Sequence, residues 1–414
     1  MENNNENLKI SNSENSSFFE QKVSSSNGNE DKPFLTFSNG SEWIKTTLRE
    51  ISQYTSTKRT VSKEFFVSTE NMKQNSEGIV KYNETSKISG ILFDCGDILV
   101  ANIRPYLKKS WFAEFNGACS TDVLCIHPFN INKKFLSFII ANDKFFAYVM
   151  TGAKGSKMPR GDKQHIMQYE FSYPDIEEQN KIADFLSLID QRIEKQRLLV
   201  ESLKKYKRGL ISKIFEQSCK NGEIVKLEAI GNFYSGLSGK NKDDFGIGDD
   251  IFITYMNVYK NVVADSNMCD KVKIKTNESQ NEVQYGDILF TQSSETLEEV
   301  GFSSVWLSKQ TAYLNSFCFG FRLLDLDKVD PVFISYYMRT NNIRKLIMRE
   351  GQGATRVNLS SERLKQIKIE LPKINIQKQI ANIMLKTDER INMSKEIVFA
   401  LTNMKQGLLQ QMFI

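Results

Sequence analysis

Only two histidines, His127 and His165, occur in 414 residues, beside six cysteines and seven prolines. The cysteines (Cys95, Cys119, Cys125, Cys219, Cys269 and Cys318) are scattered, and no two form a Cys-x-x-Cys pair. That excludes the common zinc and thioredoxin-type signatures. Each histidine reads as a surface or internally satisfied residue, so no metal site is expected. No run of eighteen apolar residues exists, so no membrane-spanning helix is expected. The polar Asn/Ser/Glu start lacks a signal-peptide pattern. Together these features point to a reduced, cytoplasmic setting.

Familiar catalytic signatures are missing as well. Gly236 to Lys240 is too short for a Gly-x4-Gly-Lys-Ser/Thr phosphate loop, and Asn241 follows the lysine. No Gly-x-Ser-x-Gly elbow is present. Adenine methyl transfer would call for an Asn/Asp-Pro-Pro-aromatic motif. The one Asp-Pro, Asp330-Pro331, continues as Val332-Phe333 and lacks the second proline. Aspartate and glutamate are plentiful, so a hydrolytic carboxylate pair stays open. The expectation is a chain that is not an enzyme by itself.

What is present is ordinary in bulk: 40% hydrophobic, 25% charged, net charge +5. The length predicts two or three domains. Residues 1–32 hold eight Asn and seven Ser, with six acidic and three basic residues, so this segment carries −3 and the rest +8. So polar a segment buries too little surface to offset its ordering entropy, and a disordered tail is expected there.

The chain repeats itself. Gly96-Asp97-Ile98-Leu99 returns as Gly286-Asp287-Ile288-Leu289, each after a β-type run. Residues 174–215 align without gaps onto 372–413 at an offset of 198, with 14 of 42 positions identical. That agreement marks a duplication, 33–220 and 221–414. The interval from Gly-Asp-Ile-Leu to the shared proline differs, 78 residues against 86. Between those anchors the copies scarcely match, so a common frame carries two divergent globular parts.

The repeated segment reads as a long helix, because residues 177–217 contain no proline and space their apolar residues helically. A heptad with Ile182 at a places Ile182, Ile189, Gln196, Leu203 and Leu210 at a, and Phe185 at d. The second copy places Ile380, Ser394, Leu401 and Leu408 at a, and Ile383 at d. A stripe at e flanks both. Helices of roughly 60 Å, at about 1.5 Å per residue, need a partner face, and each copy suits the other. Packing of each helix on its own globular part is the alternative. A pseudo-two-fold would make the pair antiparallel and bring Gln196 near Ser394. The first helix carries eight Lys/Arg between Arg192 and Lys213 against Glu194 and Glu201. That face suits solvent, phosphates or an acidic partner.

Each globular part ends in a glycine-containing loop, Gly152 to Lys163 and Gly351 to Asn358. Glycines admit close backbone approach, and Arg, Lys, Gln and Asn read base edges. Candidate DNA contacts are Lys154, Lys157, Arg160 and Lys163 in the first loop and Gln352, Arg356 and Asn358 in the second. Arg104, Lys108 and Lys109, just after the first Gly-Asp-Ile-Leu, complete the set. The matching second segment, Ser293 to Glu299, is acidic instead.

These features resemble the specificity (S) subunit of bacterial type I restriction–modification systems. The resemblance rests on Glu178-Gln179-Asn180-Lys181-Ile182-Ala183 through Lys207-Arg208-Gly209-Leu210 with Phe215. It rests equally on Gln377-Lys378-Gln379-Ile380-Ala381 through Lys405-Gln406-Gly407-Leu408-Leu409 with Phe413. The openings Trp43 to Ile51 and Val225 to Ile230, Gly-Asp-Ile-Leu and the glycine loops join them. It implies a mixed α/β fold: target recognition domains at 33–175 and 221–371, pseudo-two-fold related, with spacer helices at 176–220 and 372–414 forming an antiparallel coiled coil. Each domain would read half of a bipartite double-stranded DNA target. The helices would set the gap and dock two methyltransferase subunits, joined by restriction/translocase subunits. S-adenosylmethionine, ATP and Mg2+ would belong to those partners, with no cofactor on this chain and no membrane contact. The competing expectation is a duplicated coiled-coil adaptor that does not bind DNA.

Overall fold

The computed structural model describes residues 35–37, 42–220, 222–353 and 356–413. The polar tail expected at 1–32 lies outside them. The described residues fall into two compact units. Unit 1 holds those up to Gln191 together with those from Leu401 onward, and unit 2 holds Arg192–Ala400.

Unit 1 opens with β1 (Ile44–Thr47), α1 (Leu48–Ile51), β2 (Ser52–Tyr54), β3 (Lys58–Ser62), β4 (Phe66–Val67) and β5 (Lys87–Phe93). There follow β6 (Ile98–Ala101), β7 (Ser110–Phe112), β8 (Gly117–Cys119), β9 (Val123–Pro128), α2 (Lys133–Ile140) and α3 (Asp143–Thr151). Then come α4 (Lys163–Met167), β10 (Glu170–Tyr173) and the long α5 (Ile176–Cys219). Two four-stranded sheets, β2-β9-β6-β7 and β3-β5-β8-β4, share a core. Strand β6 is buried along its whole length. Its alternate residues Leu99 and Ala101 join Phe93, Trp111, Cys119 and Cys125 in one apolar cluster. Phe93 and Trp111 meet edge to face at 6.0 Å.

Unit 2 adds β11 (Glu223–Lys226), β12 (Gly231–Ser235), β13 (Phe245–Ile253), α6 (Tyr255–Lys260), β14 (Cys269–Val272) and β15 (Ile288–Thr291). Next are β16 (Ser293–Ser294), β17 (Ser303–Val305), β18 (Tyr313–Leu314), β19 (Cys318–Leu323), α7 (Pro331–Met338) and α8 (Asn341–Glu350). The chain ends with β20 (Val357–Asn358), α9 (Ser361–Lys365), β21 (Lys368–Leu371) and α10 (Ile374–Met412). Its main sheet, β12-β19-β15-β17, repeats the strand order β2-β9-β6-β7 of unit 1. In each unit the first strand pairs antiparallel with the strand that enters the long helix: Ile44 opposite Tyr173, and Glu223 opposite Leu371. The units part company outside that frame, where unit 2 has the three-stranded β14-β13-β18.

The duplication runs further back than residue identity reveals. Helices α2, α3 and α4 and strand β10 begin 198 residues before α7, α8, α9 and β21. What persists is chemical type. Asn132 and Asp330 each cap a helix by accepting from the backbone N–H three residues on, at Phe135 and Phe333. Asp162 and Ser360 cap α4 and α9, Asp162 accepting from the Gln164 and His165 N–H groups and Ser360 from that of Glu362.

Glutamines at the start of the long helices lock them to these caps. Gln179 accepts from the Asn132 N–H at 2.9 Å and donates to the Pro174 carbonyl at 2.8 Å. Gln377 does the same with Asp330 and Pro372, at 2.9 and 2.7 Å. Both side chains are buried.

The long helices pack antiparallel. Within unit 2, Gln196 Nε2 donates to the Ser394 carbonyl at 3.4 Å, and Lys207, further along α5, pairs with the earlier Asp388. Tyr336 of α7 donates to the same carboxylate at 2.5 Å. Within unit 1, Lys405 pairs with Asp190 at 2.6 Å and lies over the Phe138 ring. Each ion pair is the other with the copies exchanged.

The buried stripe departs from the expected a and d columns. Leu186, Ile193 and Val200 at e are buried, and so are Met384 and Ile391 in α10. At d, Leu199, Tyr206 and Ile383 are exposed, and Phe185 is half-buried against Phe37 at 5.3 Å. Ile182, Ile189, Ile380 and Ser394 are buried at a, while Gln196, Leu203, Leu210, Leu401 and Leu408 are partly so. The seam therefore runs along a and e. The d column carries Arg192 and Lys213, whose burial would strand two charges. The e column is apolar except at Lys207 and Lys405, each matched by an aspartate.

Candidate nucleic-acid interface

The repeated Gly-Asp-Ile-Leu builds a turn and a buried anchor. Gly96 and Gly286 take φ of 91° and 88°, where a side chain is strained. The following aspartate closes the turn: Asp97 accepts from the Asp94 N–H at 2.9 Å, and Asp287 from the Gln284 N–H at 2.8 Å. Both aspartates are buried, so both need partners. Asp97 contacts His127 Nδ1 at 2.7 Å. Asp287 accepts from Arg322 Nε at 3.0 Å and Nη2 at 2.8 Å, and from the Tyr234 hydroxyl at 2.7 Å. The carboxylate raises the Arg322 guanidinium above its ordinary value, and burial pushes the Tyr234 phenol up. His127 is thus internally satisfied, as is His165, stacked on Tyr148 at 4.2 Å. Among the described residues no group of three His, Cys, Asp or Glu could hold a metal.

The turn aims the chain that follows it at the glycine loop. In unit 1 the loop closes as a hairpin, Lys154 and Arg160 exchanging backbone hydrogen bonds of 2.9 Å. Asn102 accepts from the Gly161 N–H at 3.1 Å, and Arg104 donates to Pro159 at 2.8 Å, so the segment after β6 is zipped to the hairpin. Unit 2 repeats this: Gln352 and Asn358 exchange bonds, and β16 pairs with β20. Gly353 takes φ of 126°, and a side chain there would strike the Arg356 carbonyl.

Not every predicted contact residue is free. Lys154 pairs with Asp162 at 2.8 Å, Arg160 with Asp122 at 3.1 Å, and Lys108 with Asp143 at 2.7 Å. The Asp162 carboxyl is held down to about 2 by Lys154 and two backbone N–H donors. Lys109 donates to the Thr69 carbonyl at 2.6 Å. Arg104, Lys157 and Lys163 are exposed and have no carboxylate partner among the described residues. In unit 2, Gln352, Arg356 and Asn358 are exposed. Residues 354 and 355 of that loop lie outside the described residues.

Two residues behind the unit-2 loop escaped sequence reasoning. Arg344 donates to the carbonyls of Glu298, Val300 and Gly301, and Arg339 to those of Val258, Tyr259, Asn261 and Ser303. Phe302 lies between them, 5.0 and 4.5 Å from the two guanidinium carbons. Burial lowers both to about 10, still charged near neutrality. They pin the segment leading from β16 to β17. Nothing in the sequence separates them from solvated helix arginines.

Two equivalent units, each carrying an exposed polar hairpin beside its central strand, define a duplicated α/β scaffold. The chain matches the Type I restriction modification DNA specificity domain twice, over residues 21–201 and 220–402, and it belongs to that family. The fold agrees with solved structures. It is similar to the type I restriction-modification S subunit from M. genitalium, with a TM-score of 0.55, 16% identity, and coverage of 92% of this chain and 99% of that one. It is also similar to a chain from work on complex assembly and conformational transition of the type I R-M system. There the TM-score is 0.58, the identity 17% and the coverage 90% and 97%. No described helix is long and apolar enough to cross a membrane.

Proposed function

We propose that this chain selects the DNA site of a type I restriction–modification complex, each unit reading one half of a bipartite target. The observation that carries the proposal is the shared hairpin. Both units present a glycine-containing hairpin zipped to the segment after Gly-Asp-Ile-Leu, yet the exposed side chains differ: Lys157 in the one, with Lys163 just beyond it at the start of α4, and Gln352 and Arg356 in the other. A common mount with different readers suits a two-part sequence, since base edges are told apart by side-chain donors and acceptors.

The long helices are the spacer. The 44 residues of α5 span roughly 65 Å, at about 1.5 Å per residue, beyond one DNA turn of about 34–36 Å. They also offer the surface on which two methyltransferase subunits dock, and restriction/translocase subunits complete the assembly. Methyl transfer from S-adenosylmethionine and Mg2+–ATP chemistry belong to those partners. The body charge of +8 is modest for a DNA binder, so partner subunits share in holding the duplex.

Methylome sequencing of cells with and without this gene tests the reading. Loss of one bipartite methylated motif is expected. An unchanged methylome, with the partner subunits present and expressed, would leave the adaptor reading standing instead.

A further inference from the structure

Two residues beside the unit-1 hairpin hold a backbone conformation that side chains other than glycine seldom adopt. Arg104 has φ 51° and ψ 60°, and Lys108 has φ 50° and ψ 48°. They bracket a short 3₁₀ turn, Pro105–Leu107, in the connection from β6 to β7. Left-handed geometry is unfavourable for L-residues with a Cβ. It persists where the surroundings over-determine it, often at a working surface.

The anchors are many. Besides the Arg104 bond to Pro159, Ser76 N–H donates to the Lys108 carbonyl at 2.8 Å and Ala101 N–H to the Lys109 carbonyl at 2.9 Å. Pro105 is buried. Lys108 and Lys109 are both engaged by neighbouring segments, at Asp143 and Thr69. What the turn leaves over is one cation and one ring. The Arg104 guanidinium is exposed with no acceptor, and Tyr106 is 50% exposed with no partner for its hydroxyl, among the described residues. Beside them stands the hairpin tip with exposed Lys157 and Met158. Unit 2 has no such turn. None of its residues other than glycine takes a positive φ among those described, and Glu299 is held by Tyr259 and Ser294 at 2.9 and 3.0 Å.

We propose that the Arg104–Lys108 turn is a rigid base-reading element of unit 1: Arg104 donates its guanidinium fork to a guanine and Tyr106 packs on the neighbouring nucleotide. This rests on the DNA-reading function proposed above. A guanidinium has five donors and no acceptor. Guanine presents O6 and N7 as paired acceptors in the major groove, whereas adenine and cytosine place an amino donor there. A phosphate contact needs no fixed backbone, and Lys157 and Lys163 stand on flexible stems for that purpose. Holding a planar fork in the plane of one base pair does need a fixed Cα direction, and the pinned left-handed turn supplies it.

The test uses the complex with its methyltransferase subunits and measures methyl-transfer rates on duplexes carrying each base at each target position. Arg104→Ala is expected to lose about 5- to 150-fold of discrimination at a single guanine in one half-site, the equivalent of one bidentate pair. The other half-site should be unaffected. Arg104→Gly suits the left-handed backbone and separates contact from folding; it should lose the same discrimination. Tyr106→Ala should slow cognate methylation several-fold, and Tyr106→Phe should restore it. If Arg104→Ala slows every duplex equally with no change in base preference, it touches phosphate and the assignment fails. If the wild-type complex methylates a bipartite motif and the Arg104 variants keep it unchanged, this assignment alone fails. A wild-type complex without sequence-dependent methylation overturns the DNA reading itself.

Discussion

Phe413, one residue from the chain end, should stabilise the unit that begins the chain. It is 5% exposed, and its ring meets Phe135 at 5.4 Å and 71°. Asn142 donates to the Leu409 carbonyl at 2.9 Å and Lys144 to the Phe413 carbonyl at 3.4 Å, so α2 and α3 grip the same terminal turn. Its counterpart Phe215 does the equivalent service in unit 2, against Phe333 at 5.3 Å and Tyr337 at 5.4 Å. Truncating a buried phenylalanine to alanine costs about 3–5 kcal/mol. At about 1.4 kcal/mol per tenfold, Phe413→Ala should raise the open population of unit 1 by about two to three and a half orders of magnitude. Hydrogen exchange read by mass spectrometry localises that opening. Peptides from α2 and α3 should lose protection in Phe413→Ala while those from α7 and α8 keep it, and Phe215→Ala should give the reverse. Uniform loss in both variants, or loss in α7 for Phe413→Ala, would refute the assignment of the chain end to unit 1.

Other consequences are equally direct. Asp287→Ala takes the acceptor from the Tyr234 hydroxyl and the Gln284 N–H and leaves the part-exposed Arg322 to water, so losing these charge-assisted bonds should destabilise by about 1.5–3 kcal/mol; an unshifted urea midpoint would contradict it. Replacing both Lys157 and Lys163 by Gln should flatten the salt dependence of DNA binding by nearly one log-log unit for each phosphate lost, whereas Lys154→Gln, already paired with Asp162, should change it less. Inserting one heptad into both long helices should lengthen the preferred gap between half-sites, as read by methylome sequencing; an unaltered gap would sink the spacer role. Exposed Cys95 should be alkylated first in the native protein, because burial pushes the Cys119 thiol up to about 12 and Cys219 up to about 11; simultaneous labelling of all three would contradict the packing.

The long helices and the duplication were legible because they are periodic and because fourteen identities survive at one offset. The backward extension of that offset to Asn132 was not. Caps tolerate exchange among Asn, Asp and Ser, so Asn132/Asp330 and Asp162/Ser360 keep their work and lose their identity. The choice between columns d and e was also hidden. Arg192 and Lys213 weigh against d, but Lys207 and Lys405 weigh equally against e until Lys207 is seen to pair with Asp388, 181 residues away. Asp97 and Asp287 were visible as a repeated motif but not as anchors. Their partners His127 and Arg322 lie 30 and 35 residues on and arrive through sheet pairing. The candidate contact residues were chosen by type alone, since which cations are neutralised within the fold depends on Asp122, Asp143 and Asp162.

The membership of the residues from Leu401 onward in unit 1 has a consequence for how the chain is made. Synthesis proceeds at about 5–20 residues per second, so the closing turns leave the ribosome about 10–40 seconds after Gln191. Over that interval Phe135 and Asn142 lack their partners, while unit 2 can assemble in sequence behind them. The usual N-terminal-first order of a multidomain chain is therefore reversed in its final step: the first unit to begin is the last to be completed, and a chain cut off at Ala400 would hold all of unit 2 and leave unit 1 unfinished.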